Sequence, residues 1–286
     1  MEPSPVLFSR VFSDLSIRHL NPLSGGSINN AYQVVLEDDS ELFVKHNTIK
    51  DKEGMFVAEA EGLKLIKSAG ANCPDVIAVH QIEDEQFLVL SYHPPKGANK
   101  QQWNDAGAML AKMHKTTNEK FGLNHDNYMG SLAQINCETS SFSEFFVNCR
   151  LLPQVKMARD ESKLNAAHSR HFDLLFEKLE DLIPHEKPSL VHGDLWMGNF
   201  LETAQGVMLI DPATAFSHRE VDLAMTRMFG SPPEDFYESY YSEFPLEARF
   251  EERTSLFNLY PLLIHLNLFG ELYLAQIEKS IKRFVI

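Results

Sequence analysis

The sequence predicts an α+β chain built as two lobes, a strand-rich first third and a helix-rich remainder. Three observations predict it. Residues 31–36, "AYQVVL", and 41–45, "ELFVK", are strand-like runs joined by the turn "EDDS", which makes a hairpin. Residues 93–99, "HPPKGAN", punctuate the chain as a linker. Beyond them apolar residues recur at helical spacing: Trp103, Ala106, Leu110 and Met113, then Phe172, Leu175, Phe176, Leu179, Leu182 and Ile183. The lobes are therefore expected at 1–92 and 100–286, with 93–99 as the hinge between them.

In chain order, a small-residue loop, "PLSGGSINN" at 22–30, precedes the hairpin. Residues 55–69 place Phe56, Ala60, Leu63 and Ile66 on one helical face. Gly62 interrupts that face at a cost of about 1 kcal/mol relative to alanine. Residues 86–92, "QFLVLSY", have strand length. Two short apolar runs, "SLV" (189–191) and "VMLI" (207–210), lie within the helical part and lead toward aspartates. From about 219 the chain reads mostly helical. The apolar stretch "LYPLLIHLNLFGELYLAQI" is broken by His265, Asn267 and Glu271, so it reads as buried helix rather than a membrane span.

Composition narrows the function classes. The 286 residues contain 44% apolar residues, an ordinary globular value, and 26 basic against 40 acidic residues give a net charge of −14. Such a surface repels phosphate backbones and anionic lipid, so neither nucleic acid nor membrane is an expected partner. Cys73, Cys137 and Cys149 are odd in number and contain no CxxC, which suits a reducing, cytoplasmic setting with idle or buried thiols. The start "MEPSPVLFSR" lacks the pattern of a secretory signal.

The chemistry concentrates in "LVHGDLWMGNF", residues 190–200. Asp194 and Asn199 sit five positions apart in one loop, where a carboxylate can take a proton and an amide oxygen can help hold a hard cation. Mg2+ needs only one or two protein oxygens. Asp211 follows the run "VMLI" and precedes Pro212, so its carboxylate is expected in a turn. The order His-x-Asp-x4-Asn, strand, Asp is that of protein-kinase catalytic loops, with His-Gly-Asp and Asp-Pro-Ala in place of the usual triplets. On its own "HGD…N" also reads as a polar turn closed by Asx hydrogen bonds. Lys45 ends the strand "LFVK", where it is either a solvated strand end or a phosphate-binding lysine paired with Glu59 or Glu61 of the next helix. Gly25, Gly26 and Ser27 lie directly before the hairpin and could close over phosphates through backbone N–H groups, although they match neither GxGxxG nor GxxxxGK. Asp222 in "HREVDLAM" either orients the catalytic loop or caps a helix.

"HGDLWMGN" resembles the signature of the fructosamine kinase (ketosamine 3-kinase) family, within the aminoglycoside and choline kinase-like group. Matching stretches run in order along the chain: "GGSINNAYQV", "FVKHN", "MFVAEAEGL", "LVLSYHPP", "LAKMH", "FGLNHDN", "EFFVNCRLLPQV", "LIDPA" and "HREVDLAM". The resemblance implies a two-lobed protein-kinase-like fold, with a small β-sheet N-lobe and a mostly helical C-lobe. It implies ATP and Mg2+ as cofactors, with Asp194 as base and Asn199 and Asp211 as metal ligands. Lys45 would bind phosphate with Glu59, in Met-Phe-x-x-Glu, as its partner. Leu90 and Tyr92 would border adenine, and Trp196 would face the sugar or pack the loop. The implied substrate is a ketosamine, free or on a glycated protein amine, phosphorylated on a sugar hydroxyl. A kinase for another alcohol, such as an aminoglycoside or choline, is the alternative. A monomer or weak homodimer is expected. Ser27-Ile28-Asn29 departs from a glycine-rich nucleotide loop.

Overall fold

A computed structural model describes residues 8, 11, 12, 16–23, 29–50 and 52–285. Gly25, Gly26 and Ser27, expected over the phosphates, lie outside the described residues.

The N-terminal part is an antiparallel sheet of five strands: β1 (Ile17–Leu23), β2 (Asn30–Leu36), β3 (Glu41–Thr48), β4 (Val76–Ile82) and β5 (Glu85–Ser91), in the order β1-β2-β3-β5-β4. β2 and β3 form the expected hairpin, with Ala31 opposite Lys45. The alternation of β3 and β5 divides the residues between two faces. Val44, Phe87 and Val89 join Phe8, Phe12, Tyr32 and Val34 in a core outside the sheet. Lys45 lies opposite Leu88, and Leu88 and Leu90 belong to the main core.

Helix α1 (Met55–Ser68) covers the Lys45 face, burying Met55, Phe56, Ala60, Leu63 and Ile66. Gly62 is not a flaw there. A Cβ on it would come within 3.2 Å of Thr214 Oγ1 and 3.3 Å of Pro212 Cγ, so glycine lets α1 approach the segment after Asp211.

The linker is tied down rather than free. Lys96 donates its N–H to Glu202 O at 2.8 Å, and Ala98 donates to Glu202 Oε2 at 2.5 Å. Asn99 then starts α2 (Lys100–His114) with a reciprocal cap: its side chain accepts from Gln102 N–H, and Gln102 Oε1 accepts its own N–H.

The second lobe is mainly helical. Hairpin β6 (Asn127–Met129) and β7 (Leu132–Gln134) leads to a continuous helical run of α3 (Phe142–Phe145), a π-turn (Phe146–Leu151) and α4 (Leu152–Asp160). The predicted helix from Phe172 to Ile183 is broken into α5 (Ala166–Phe176) and α6 (Leu179–Leu182). Then come β8 (Ser189–Val191), β9 (Phe200–Thr203), β10 (Gly206–Leu209) and β11 (Ala215–Ser217), followed by α7 (Glu220–Met225), α8 (Glu234–Glu243), α9 (Phe250–Phe257), α10 (Leu259–Phe269) and α11 (Leu274–Val285). β8 pairs with β11, and β9 with β10, both antiparallel. The apolar stretch from Leu259 is buried helix only as far as Leu266; it breaks at Gly270, where Phe269 and Leu272 are exposed, and α11 follows. Among the described residues no helix is long and apolar enough to cross a membrane.

The cysteines differ from the expectation of idle thiols. Cys137 and Cys149 form a disulfide, and Cys73 is free and buried. The pairing depends on the chain folding back from β7 onto the π-turn, which spacing alone does not reveal.

Candidate active site

The loop between β8 and β9 is built by its backbone partners. His192 and Gly193 donate their N–H groups to Asp222 Oδ2 and Oδ1 at 2.7 and 2.9 Å. His114 Nε2 lies 3.1 Å from Asp222 Oδ2, and His114 Nδ1 lies 2.8 Å from Tyr240 OH. Asp222 is thus a buried bracket for the loop, the first of its two sequence readings. Gly193 has φ +84°, and a Cβ there would collide with Ala213 O, so glycine meets both demands. His192 Nε2 reaches Ile210 O at 2.9 Å while Nδ1 accepts Asp194 N–H at 3.3 Å. Burial holds this imidazole below its ordinary pKa, as a neutral donor–acceptor requires.

A short 3-10 turn at Met197–Asn199 folds the loop back on itself. It brings Asn199 Nδ2 to Asp194 O at 2.7 Å and to Asp194 Oδ2 at 3.2 Å. The Asp194 carboxyl is pushed up to about 7, chiefly by burial and then by the charge of Asp211, against the Asn199 hydrogen bond.

Lys45 crosses from the sheet into this centre. Its Nζ lies 2.7 Å from Glu59 Oε1 and 2.6 Å from Asp211 Oδ1. Burial alone would lower its pKa, but the carboxylates of Asp211 and Glu59 more than offset that and raise it. Burial holds the Glu59 carboxyl above its ordinary range while Lys45 opposes it. Glu61, the other candidate, turns away and pairs with His125 Nε2 at 3.2 Å. Asn29 Oδ1, just before β2, accepts from Asn47 Nδ2 at 2.6 Å, two residues beyond Lys45.

The donor set fits a hard cation. With Asn199 Nδ2 turned to Asp194, its Oδ1 is left for a ligand, and Asp211 offers a second carboxylate oxygen beside the one held by Lys45. Among the described residues no group of three or more His, Cys, Asp or Glu is placed to hold a metal.

The other expected residues are placed less decisively. Leu90 is buried in the main core, and Tyr92 is half-buried just past the end of β5. Trp196 packs edge-on to Phe229, with ring centroids 6.3 Å apart, and covers Gly198. It still leaves 37% of its surface exposed beside Asp194.

The fructosamine kinase family model matches residues 3–286. The chain belongs to the fructosamine kinase family. A relative from Enterococcus faecium named "Probable ketoamine kinase" is 33% identical over 279 residues, covering 96% of this chain and 98% of that protein. The crystal structure of a candidate fructosamine-3-kinase from Thermobifida fusca superposes with a TM-score of 0.85 at 30% identity, covering 98% of each chain. An aminoglycoside phosphotransferase in complex with AMP-PNP and hygromycin B superposes with a TM-score of 0.66 at 12% identity, over 97% of each chain. At that identity the likeness shows the protein-kinase-like fold alone. The chain is accordingly an ATP-dependent phosphotransferase of the ketosamine kinase class.

Proposed function

We propose that the chain phosphorylates a sugar hydroxyl of ketosamines, O3 in particular, and that the phosphorylated adduct then breaks down, so that the amine is deglycated. The observation that supports this most is the meeting of Lys45, Glu59 and Asp211 beside the loop of Asp194 and Asn199.

In this reading Asp194 orients the acceptor hydroxyl and accepts its proton. Asn199 and Asp211 hold Mg2+, which when bound neutralises phosphate charge. Lys45, fixed by Glu59, places the α and β phosphates of ATP. Leu90 and Tyr92 border adenine. Residues 1–92 serve as the nucleotide lobe, 93–99 as the hinge and 100–286 as the lobe that carries the acceptor. Catalysis of this kind is mostly positioning and charge stabilisation. The exposed face of Trp196 would take the sugar or the amine-bearing chain, a surface suited to C–H groups and cations. The acceptor is a small ketosamine or a glycated protein amine. A cytoplasmic setting is proposed from the need for ATP, since the Cys137–Cys149 bond removes the argument from idle thiols. The residues assigned here come from one chain, so a monomer suffices and a weak homodimer is compatible.

The test is an acceptor panel of fructose-, ribulose- and erythrulose-lysine, an aminoglycoside and choline, read by ADP release. Turnover confined to the ketosamines is expected, with Trp196→Phe raising KM for the acceptor but not for ATP. Turnover of the aminoglycoside or choline alone would refute the assignment.

A further inference from the structure

Asp211 has φ +57°, in the left-handed range, and it precedes a proline. A non-glycine residue there is held at a cost, and persists only when its surroundings over-determine it. On one side the catalytic loop supplies the restraint: Ile210 N–H donates to Asn199 O, and Ala213 N–H donates to His192 O at 2.8 Å. On the other side two side-chain amides restrain the chain. Gln134 Nε2 donates to Ala213 O at 3.0 Å, and Asn127 Nδ2 donates to Thr214 O at 2.9 Å.

Those amides are themselves fixed. Asn127 Oδ1 accepts from Gln134 Nε2 and from Asn136 Nδ2, both at 2.8 Å. Tyr260 OH donates to Gln134 Oε1 at 2.9 Å. Arg150 closes the set, donating from Nη2 to Asn136 Oδ1 at 2.7 Å and from Nη1 to Ile135 O and Cys149 O. Its guanidinium is buried 4.4 Å from the centre of the Phe145 ring, and burial pulls its pKa down while Tyr260 and the Asp126 carboxylate act against that. Burying an arginine is costly unless its donors are satisfied. Here its planar fork delivers several aimed donors. The π-turn carries Arg150, and Pro153, three residues on, supplies no N–H to Cys149 O, which accepts from Arg150 instead. A π-turn often marks a functional position.

We propose that Asn127, Gln134, Asn136, Arg150 and Tyr260 form a buried clamp that holds Asp211 in its left-handed geometry and thereby sets the affinity of the site for Mg2+ in the presence of nucleotide. These are positioning residues, and the proposal rests on the reading of Asp211 as a metal ligand. They account for the stretches "FGLNHDN" and "EFFVNCRLLPQV", which the catalytic roles leave unexplained.

The test uses the full chain and Mn2+ as the probe, with free Mn2+ read by electron paramagnetic resonance in the presence of ADP. Arg150→Met is expected to weaken Mn2+ binding about tenfold, and Tyr260→Phe about threefold. ADP affinity without metal should stay within twofold, and turnover should recover as Mg2+ is raised. A general loss of structure would instead weaken ADP with and without metal alike, and would overturn the proposal. If Arg150→Met fails to fold, Tyr260→Phe, which removes one hydroxyl, decides alone. Wild-type Mn2+ affinity in a folded clamp variant, while Asp211→Asn abolishes binding, overturns the clamp and leaves the ligand reading standing. Wild-type Mn2+ affinity in Asp211→Asn overturns the ligand reading and the clamp with it.

Discussion

Asp194 is placed where its charge is disfavoured until another charge arrives. Burial and the neighbouring Asp211 push its carboxyl up to about 7, from an ordinary 3.8. A base must be ionised to accept a proton, so kcat/KM is expected to fall as pH drops below about 7, and a pH–rate profile reads this directly. The stability effect has the opposite sense. With the folded value above the unfolded one, the protonated carboxyl favours the fold fully below about pH 4, and that contribution is lost as pH rises through 7. Asp194→Asn is therefore expected to lose about 10²- to 10⁴-fold in kcat while melting higher than the parent at pH 8 and alike at pH 4. Equal melting at pH 8 would remove this account of the shift. At this scale much was legible. Lys45, Asp194, Asn199 and Asp211 stand out because their spacing follows one chemical order. Glu59 and Glu61 could be separated only by the resemblance or by the rotation of α1, which turns one to Lys45 and the other to His125. Arg150, Gln134 and Tyr260 carry no local pattern, since their partners are distant in sequence.

Elements were legible where their period was strong and hidden where pairing was tertiary. The β2–β3 hairpin, β5 and α2 follow from strand-like runs bounded by turns and from helical spacing. β8 and β10 stand out as the apolar runs "SLV" and "VMLI", whereas β1, β4, β6, β7, β9 and β11 show no period long enough to read, and their pairing makes them strands. The disulfide belongs to this class. It joins the residue after Asn136 to the residue before Arg150, two members of the clamp. Closing a loop with 12 residues of separation is worth about 3 kcal/mol in the chain-entropy account. Reduction with dithiothreitol is expected to lower Tm by several degrees, and Cys137→Ser to melt at the reduced value with no further response to reductant. A Tm indifferent to reductant, with both thiols alkylatable in the native protein, would show that the pair is not bonded in solution.

The whole molecule is two lobes joined at more than the linker. Leu209 N–H donates to Asn72 O at 2.8 Å, Asn72 Nδ2 reaches Val207 O at 3.2 Å, and Tyr128 OH donates to Glu53 O at 2.9 Å. With the Lys45–Asp211 pair, these contacts hold the sheet against the catalytic segment. The two-lobed class was legible because the sequence changes period near the linker. The approach of α1 to the Asp211 segment was not, since it hinges on Gly62, which reads locally as a helix weakness. The reaction proposed for the whole assembly is transfer of phosphate from ATP onto a ketosamine sugar. The most direct measurement is phosphorus and carbon NMR of fructoselysine incubated with the chain, ATP and Mg2+. The expected result is one new phosphomonoester, coupled to C3 of the sugar, followed by release of free lysine, and none of it with Asp194→Asn. ATP consumed with fructoselysine unchanged would overturn that reaction, and a phosphate on another carbon would overturn the O3 assignment.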